Sequence, residues 1–335
     1  MTAVRALGAL AACALLPGCI AAIPAGAVAL MGREHVMGGD RSSTPAPVSP
    51  PAPATLPEPA TLAAPPASSA KPAAVPPAMQ YLYGSGEAAA LSVQSYQALW
   101  SYLQARVADR DAKRDLWSVV LSRGATLAEP RFMPCGKKKM AVVLDIDETA
   151  LLNLGFEADD AHRAGPYDAG RWDRWEKTGG TAVSAVPGAS EALSAARRAG
   201  IAVVYNSNRS AANAADTAAA LDHAGLGPAV HGDTLWLRGD DDSGSAKDAR
   251  RRAISEKYCV VALVGDQLGD FSDLFNAPGL ATPVRRNAAT ETMIAPLWGL
   301  GWFILPNPVY GSALQGGFGD VFPMDKGWTD PAEER

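Results

Sequence analysis

Cysteine and histidine are scarce in this chain, four of each among 335 residues. The histidines, His35, His162, His223 and His231, show no metal-ligand spacing, so a zinc centre is not expected. There is no excess of positive charge either. Thirty Lys and Arg stand against 35 Asp and Glu, for a net charge of −5. No basic face is implied, and nucleic-acid binding has little support. The first apolar run, Ala6 to Leu16, is too short to cross a bilayer. What remains is 48% hydrophobic and 19% charged, enough for one sizeable core with accessory structure.

Residues 1–19, MTAVRALGALAACALLPGC, read as an export signal: Arg5 is the positive start and Ala6–Leu16 the apolar region. The segment ends in Leu16-Pro17-Gly18-Cys19, which resembles a bacterial lipobox, although Pro17 is unusual there. Lipidation of Cys19 would anchor the chain. With Ile20 beside it carrying no retention charge, the anchor would face the outer membrane; ordinary cleavage near residues 21–29 is the alternative and leaves a periplasmic protein. Residues 20–78 are rich in Pro, Ala, Ser and Thr and read as an extended tether.

A folded domain is expected over residues 79–325, with a tail at 326–335. Its accessory helices fall within 85–125: apolar residues at helical spacing cover 87–107, and a second helix is expected over Arg110–Ser122. The core, about 138–290, alternates apolar strands with helices. The strands are Ala141–Leu144, Ile201–Tyr205 and Tyr258–Val264, with a further one expected in Val230–Leu237. Runs without polar alternation suit strands covered on both faces, and strand–helix alternation argues for a three-layer α/β fold around a parallel sheet. An insertion over about 154–185, polar, Gly-rich and carrying Tyr167, Trp172 and Trp175, is too long for a plain connection and reads as a cap. A C-terminal segment covers 290–325.

The strand ends carry the chemistry. Ligands bind beyond the carboxyl ends of strands in open α/β sheets. The first strand ends in Asp145-Ile146-Asp147, the second in Asn206-Ser207-Asn208-Arg209, and the third in Gly265-Asp266 with Asp270 beyond; the helix before the third carries Lys247. Neighbouring carboxylates repel unless a hard cation joins them. One can attack phosphorus while another moves a proton. No such role falls to His231, which lacks the Arg-Gly context of a phosphohistidine enzyme.

These motifs resemble the haloacid dehalogenase (HAD) superfamily. Within it they are similar to class C nonspecific acid phosphatases, the bacterial lipoprotein e family of 5′-nucleotidases. The resemblance rests on Val143–Thr149 with Leu151, Asn153 and Phe156, on Val186–Ala189, Ser207–Arg209 and Lys247, on Gly265–Phe271, and on Leu305–Ser312. It spans roughly Glu87 to Ser312. Ala150, Phe156, Ala262, Gln267 and Ala313-Leu314 depart from the family pattern.

The resemblance implies a Rossmann-like, HAD-type parallel sheet with a mainly helical cap. It also implies a Mg²⁺-dependent phosphomonoesterase acting on nucleoside 5′-monophosphates at the cell envelope. Asp145 would be the nucleophile and Asp147 the proton donor. Ser207 and Lys247 would complete the catalytic set. Metal ligands would be Asp145, Asp147 through its backbone carbonyl, Asp266 and Asp270, the last as ligand or in support. Asn208, Arg209, Trp172 and Tyr310 would bind substrate, the two rings by stacking on a base. Arg209, Arg250 and Arg251 could equally pair with carboxylates. Cys135 and Cys259 are either bridged or two buried thiols, and a homodimer stays open. The rival readings are a phosphatase for sugar phosphates or phosphoamino acids and a surface lipoprotein that binds without turnover.

Overall fold

A computed structural model describes residues 74–163, 165–291 and 293–331. The export signal, Cys19 and residues 20–73 of the tether lie outside the described residues. Helices α1 (Pro77–Gly84) and α2 (Gly86–Asp111) precede an antiparallel pair, β1 (Trp117–Leu121) and β2 (Phe132–Pro134), and then β3 (Met140–Leu144). The insertion runs from β4 (Leu151–Leu152) through α3 (Leu154–Asp160) and α4 (Ala169–Thr178) to β5 (Ser184–Ala185). Next come α5 (Ala189–Arg198), β6 (Ala202–Ser210), α6 (Ala214–His223), β7 (Leu235–Arg238), α7 (Asp248–Lys257) and β8 (Cys259–Gly265). The chain continues through α8 (Thr282–Thr290), β9 (Trp302–Ile304) and α9 (Phe318–Val321).

Five strands form one parallel sheet in the order β7-β6-β3-β8-β9. Every residue of β3 is buried because the strand serves two cores at once. Val142 and Leu144 pack with Val203, Tyr205 and Val261 on one face. Ala141 and Val143 pack with Val204, Val260 and Leu263 on the other. Side chains alternate between the faces of a strand, so a strand covered on both must be apolar throughout. The chain builds outward from β3 to β6 and β7, then returns to the other side for β8 and β9. That reversal puts the topological switch point at β3.

The cap is closed at its base by β4 pairing antiparallel with β5, Leu151 opposite Ala185. Helix α2 is pinned to the loop after β3 by Tyr96, whose hydroxyl donates to the carbonyl of Thr149 at 2.7 Å. Gly188, at φ +88°, lets the turn into α5 approach α2; a Cβ there would meet Val93 and Tyr96 at 3.2 Å. Left-handed backbone and close approach together require glycine.

One local expectation is corrected. Arg110–Ser122 is not a helix. Helix α2 stops at Asp111, Lys113 takes a left-handed φ of +56°, and Arg114 N closes the end on Asp109 O at 2.9 Å. The chain then enters β1, whose Val119 and Val120 are buried and whose Val119 carbonyl accepts from Trp302 Nε1 at 2.9 Å. The further strand expected in Val230–Leu237 is β7, which begins at Leu235 after a turn through Gly232 at φ +77°.

Cys135 and Cys259 form a disulfide, with Cα atoms 4.8 Å apart and 124 residues between them in sequence. The bridge ties the segment before β3 to the first residue of β8. Closing so long a loop restricts the unfolded chain strongly, and losing such a bridge costs roughly 2–5 kcal/mol. Replacing both cysteines with serine is therefore expected to lower the unfolding free energy by that amount, and with it the midpoint of a urea titration, relative to the oxidised protein. An unchanged midpoint would show that the bridge adds no stability.

Candidate active site

Sheet register assembles the site. Leu144 is opposite Tyr205 of β6 and Val264 of β8, so Asp145 and Asp266 leave neighbouring strands side by side. Asp145, Asp266 and Asp270 each present an oxygen, all within 4.8 Å of one another. Lys247, the residue preceding α7, reaches into this group. Its Nζ lies 2.5 Å from Asp145 Oδ1 and 2.7 Å from Asp270 Oδ1. Asp273 holds the start of α7 in place by accepting from the backbone N–H groups of Lys247 and Asp248 at 2.8 and 2.7 Å.

One ammonium does not balance three buried carboxylates. Burial pushes the Asp145 carboxyl well up; Lys247 opposes this, while Asp270 and Asp266 reinforce it. Asp266 is pushed up to about 7 by burial and by Asp270. Burial works against the Lys247 ammonium too, but Asp145 and Asp270 outweigh it, and its pKa is raised. The arrangement suits a divalent cation with oxygen ligands, whose charge would keep these carboxyls ionised. Asp266 is also oriented from outside: Thr149 Oγ1 donates to Oδ1 at 2.9 Å, and Asn307 Nδ2 and Gln267 Nε2 donate to Oδ2 at 2.7 and 3.2 Å.

Asp147 stands apart from this group. Its Oδ1 accepts from Arg209 Nε at 2.9 Å, Arg209 Nη2 at 2.7 Å and Asn153 Nδ2 at 3.0 Å. Among the described residues its Oδ2 meets only Ser207 Oγ, at 3.5 Å. One oxygen is saturated and the other is left for a proton. Asn153 is in turn fixed by Trp175, whose Nε1 donates to Asn153 Oδ1 at 3.1 Å. The turn after Asp147 is tight, and Glu148 sits in the left-handed region at φ +53°. This costs energy for a non-glycine residue. It directs the Glu148 carboxylate inward, where it accepts from Asn153 N at 2.9 Å and from the hydroxyl of Tyr310. Burial and the nearby Asp147 push Glu148 up to about 8.

A cavity of about 700 Å³ opens over Asp145, Asp147, Lys247, Asp266 and Asp270, with Trp172, Tyr310 and Asn208 in its walls. Trp172 packs edge-on against Phe156 at 4.8 Å. Asn208 is held by Arg250 Nη2 at 2.8 Å and donates to Ser245 O at 3.0 Å. Arg209 and Ser207 do not line this cavity. Arg209 is buried behind Asp147, its Nε and Nη2 donating to Asp147 Oδ1 and its Nη2 also to Asn153 Oδ1, which is the carboxylate pairing left open beside substrate binding. Arg250 and Arg251 likewise serve internal partners: Arg250 bonds Asn206 and Asn208, and Arg251 bonds Asp248 and the Gly269 carbonyl.

Other contributors carried no role in the sequence reading. Glu148 and Asn153 stood inside the first motif, where a role could have been sought. Met79, from α1, lines the cavity although it is far away in the chain. Tyr83, one turn further along α1, has a buried hydroxyl with no hydrogen-bond partner among the described residues. Burial, then Glu148 and Glu157, push its pKa up.

An α/β sheet whose switch point gathers two carboxylates two residues apart, an ammonium and a buried acidic triad suits a phosphomonoester hydrolase. Residues 86–313 match the model of the HAD superfamily, subfamily IIIB (acid phosphatase), and the chain belongs to that family. The class C acid phosphatase from Bacillus anthracis is similar in fold, with 26% identity and a TM-score of 0.54 over 70% of this chain and 84% of that one. A structure of the B. anthracis class C enzyme with tungstate bound gives the same identity and TM-score over 77% and 91%. Phosphatases of this superfamily generally use a divalent metal, and the buried acidic triad is placed to hold one.

Gly265 makes room for the cluster: a Cβ there would stand 2.3 Å from that of Asp270. Gly265→Ala is expected to cost about 1–3 kcal/mol through overpacking and to abolish phosphatase turnover. Gly84→Ala, where nothing lies within 4 Å, should do neither. Thermal unfolding monitored by circular dichroism, alongside an assay, checks both; a fully active Gly265→Ala protein would contradict the packing described.

Proposed function

We propose that this acid phosphatase is Mg²⁺-dependent and removes phosphate from nucleoside 5′-monophosphates at the cell envelope, through an aspartyl-phosphate on Asp145. The observation that carries the mechanism is the position of Asp145, held at 2.5 Å by Lys247 and two residues before an Asp147 with one saturated oxygen. An Asp145 carboxylate oxygen attacks phosphorus, and the bond from phosphorus to the leaving oxygen breaks. Asp147 passes a proton from Oδ2 to that oxygen. It then takes a proton from the water that attacks the phosphoryl group, which frees Asp145 and releases phosphate. Lys247 orients Asp145 and offsets charge gathering on the phosphoryl oxygens. Asp145, the backbone carbonyl of Asp147, Asp266 and Asp270 would hold the Mg²⁺. When bound, it would draw negative charge from the phosphate oxygens.

Trp172 and Tyr310 line the same cavity, which supports ring stacking on a base. Stacking tolerates every base, so broad use of nucleotides follows. Ser207, whose Oγ lies 3.5 Å from Asp147 Oδ2, is proposed to hydrogen-bond a phosphate oxygen, helped by Asn208. The envelope location rests on residues 1–19 and the lipobox at Cys19, and a lipid anchor is the proposed attachment to the membrane.

The test is phosphate release by the full chain from nucleoside monophosphates, sugar phosphates and phenyl phosphate, with and without EDTA. Nucleotides should be turned over fastest, EDTA should stop release and Mg²⁺ restore it. Asp145→Asn should abolish turnover, and Asp147→Asn should slow it by about 10²–10⁴. Release indifferent to EDTA would overturn the metal assignment. A marked preference for sugar phosphates would overturn the substrate assignment.

A further inference from the structure

The cavity has a second polar feature that the mechanism does not use. Glu157, on α3, lines it and is only 5% exposed. Among the described residues its carboxylate has no hydrogen bond and no ion pair. The cation that could have served it, Arg171, is engaged elsewhere: Nε donates to Asp159 at 3.1 Å, Nη1 to Asp160 at 2.5 Å and Nη2 to the Phe156 carbonyl at 3.1 Å. The guanidinium also lies 4.0 Å over the Phe156 ring. Met79, Phe156 and Trp172 contribute apolar surface to the same cavity. Burial first, then the charge of Asp160, push its pKa to about 7; Arg171 opposes and Asp147 adds to the rise. Glu157 is therefore within electrostatic reach of Asp147, which lines the same cavity.

A buried carboxylate without a partner is costly. A polar group placed in the wall of a ligand cavity fixes a ligand's orientation. We propose that Glu157 is a specificity-determining residue whose carboxylate accepts a hydrogen bond from a hydroxyl or amino group on the leaving-group portion of the substrate. This rests on the phosphomonoesterase reading above. It deepens that reading by naming what the alcohol half must carry: a flat or apolar body for the Met79, Phe156 and Trp172 wall, and at least one hydrogen-bond donor for Glu157. Sites built to bond such a donor reject analogues lacking it far more strongly than apolar walls reject a change of size.

Steady-state kinetics on the full chain with Mg²⁺ should compare adenosine 5′-monophosphate with phenyl phosphate, whose leaving group carries no further donor. Glu157→Ala is expected to raise KM for the nucleotide about 10-fold or more while kcat stays within about twofold and phenyl phosphate is unaffected. Glu157→Gln, which keeps an acceptor oxygen, should recover part of the loss. Equal losses on both substrates, or none on either, would overturn the role. Adenosine binding, followed by tryptophan fluorescence in EDTA, separates this from the mechanism. Weaker binding by Glu157→Ala supports the subsite even if the wild type turns over no nucleotide, an outcome that would count against the nucleotide assignment alone. Unchanged adenosine binding overturns it.

Discussion

Like-charge crowding at the ends of β3 and β8 is the constraint to which the rest of the molecule answers. Asp145, Asp266 and Asp270 share a space in which each raises the cost of ionising the others, and Lys247 neutralises only part of it. Such a group persists only where the surrounding structure over-determines it. Here the scaffold supplies that in several layers. Parallel register sets Asp145 beside Asp266, Gly265 lets Asp270 fold back against the strand end, and Asp273 fixes the start of α7 so that Lys247 points inward. The hydrogen bonds from Thr149, Asn307 and Gln267 leave Asp266 little freedom to turn away.

Behind the cluster lies a second network that divides the work between two carboxylates only two residues apart. Asp145 is held by an ammonium and faces the other acids, whereas Asp147 is drawn off by Arg209 and Asn153. The left-handed turn at Glu148 makes this divergence geometrically feasible, and the hydroxyl of Tyr310 reaches that same carboxylate from the C-terminal segment. One loop thus connects Asp145, Asp147 and a wall of the cavity, and Tyr96 of α2 anchors it. The network continues through Asn153 to Trp175 of the cap, so cap position and Asp147 orientation are mechanically joined.

Much of this was legible in the chain itself. β3, β6 and β8 announce themselves as apolar runs because both faces of each are covered, and acid or small polar residues stop each run where solvent begins. The meeting of Asp145, Lys247, Asp266 and Asp270 follows from parallel topology once those strands are recognised. What escaped depended on contacts distant in sequence or on a single backbone angle. The Trp117–Leu121 strand was hidden because five residues are too few to show a period, and the helix stop at Lys113 carries no Gly or Pro. Arg209 looked available because a guanidinium beside a phosphate site and one behind a carboxylate have the same sequence context. Met79 reaches the cavity from a helix that precedes the residues matched by the family, and no local pattern reveals such a tertiary approach.

The account stands on one divalent ion being shared by the ends of β3 and β8. Titration of the full chain with Mn²⁺, followed by electron paramagnetic resonance, measures this directly. The expected result is one strong site per chain that is lost in Asp266→Asn and in Asp145→Asn but retained in Arg209→Lys. Absence of a site in the wild type, or a site unaffected by either aspartate substitution, would contradict it.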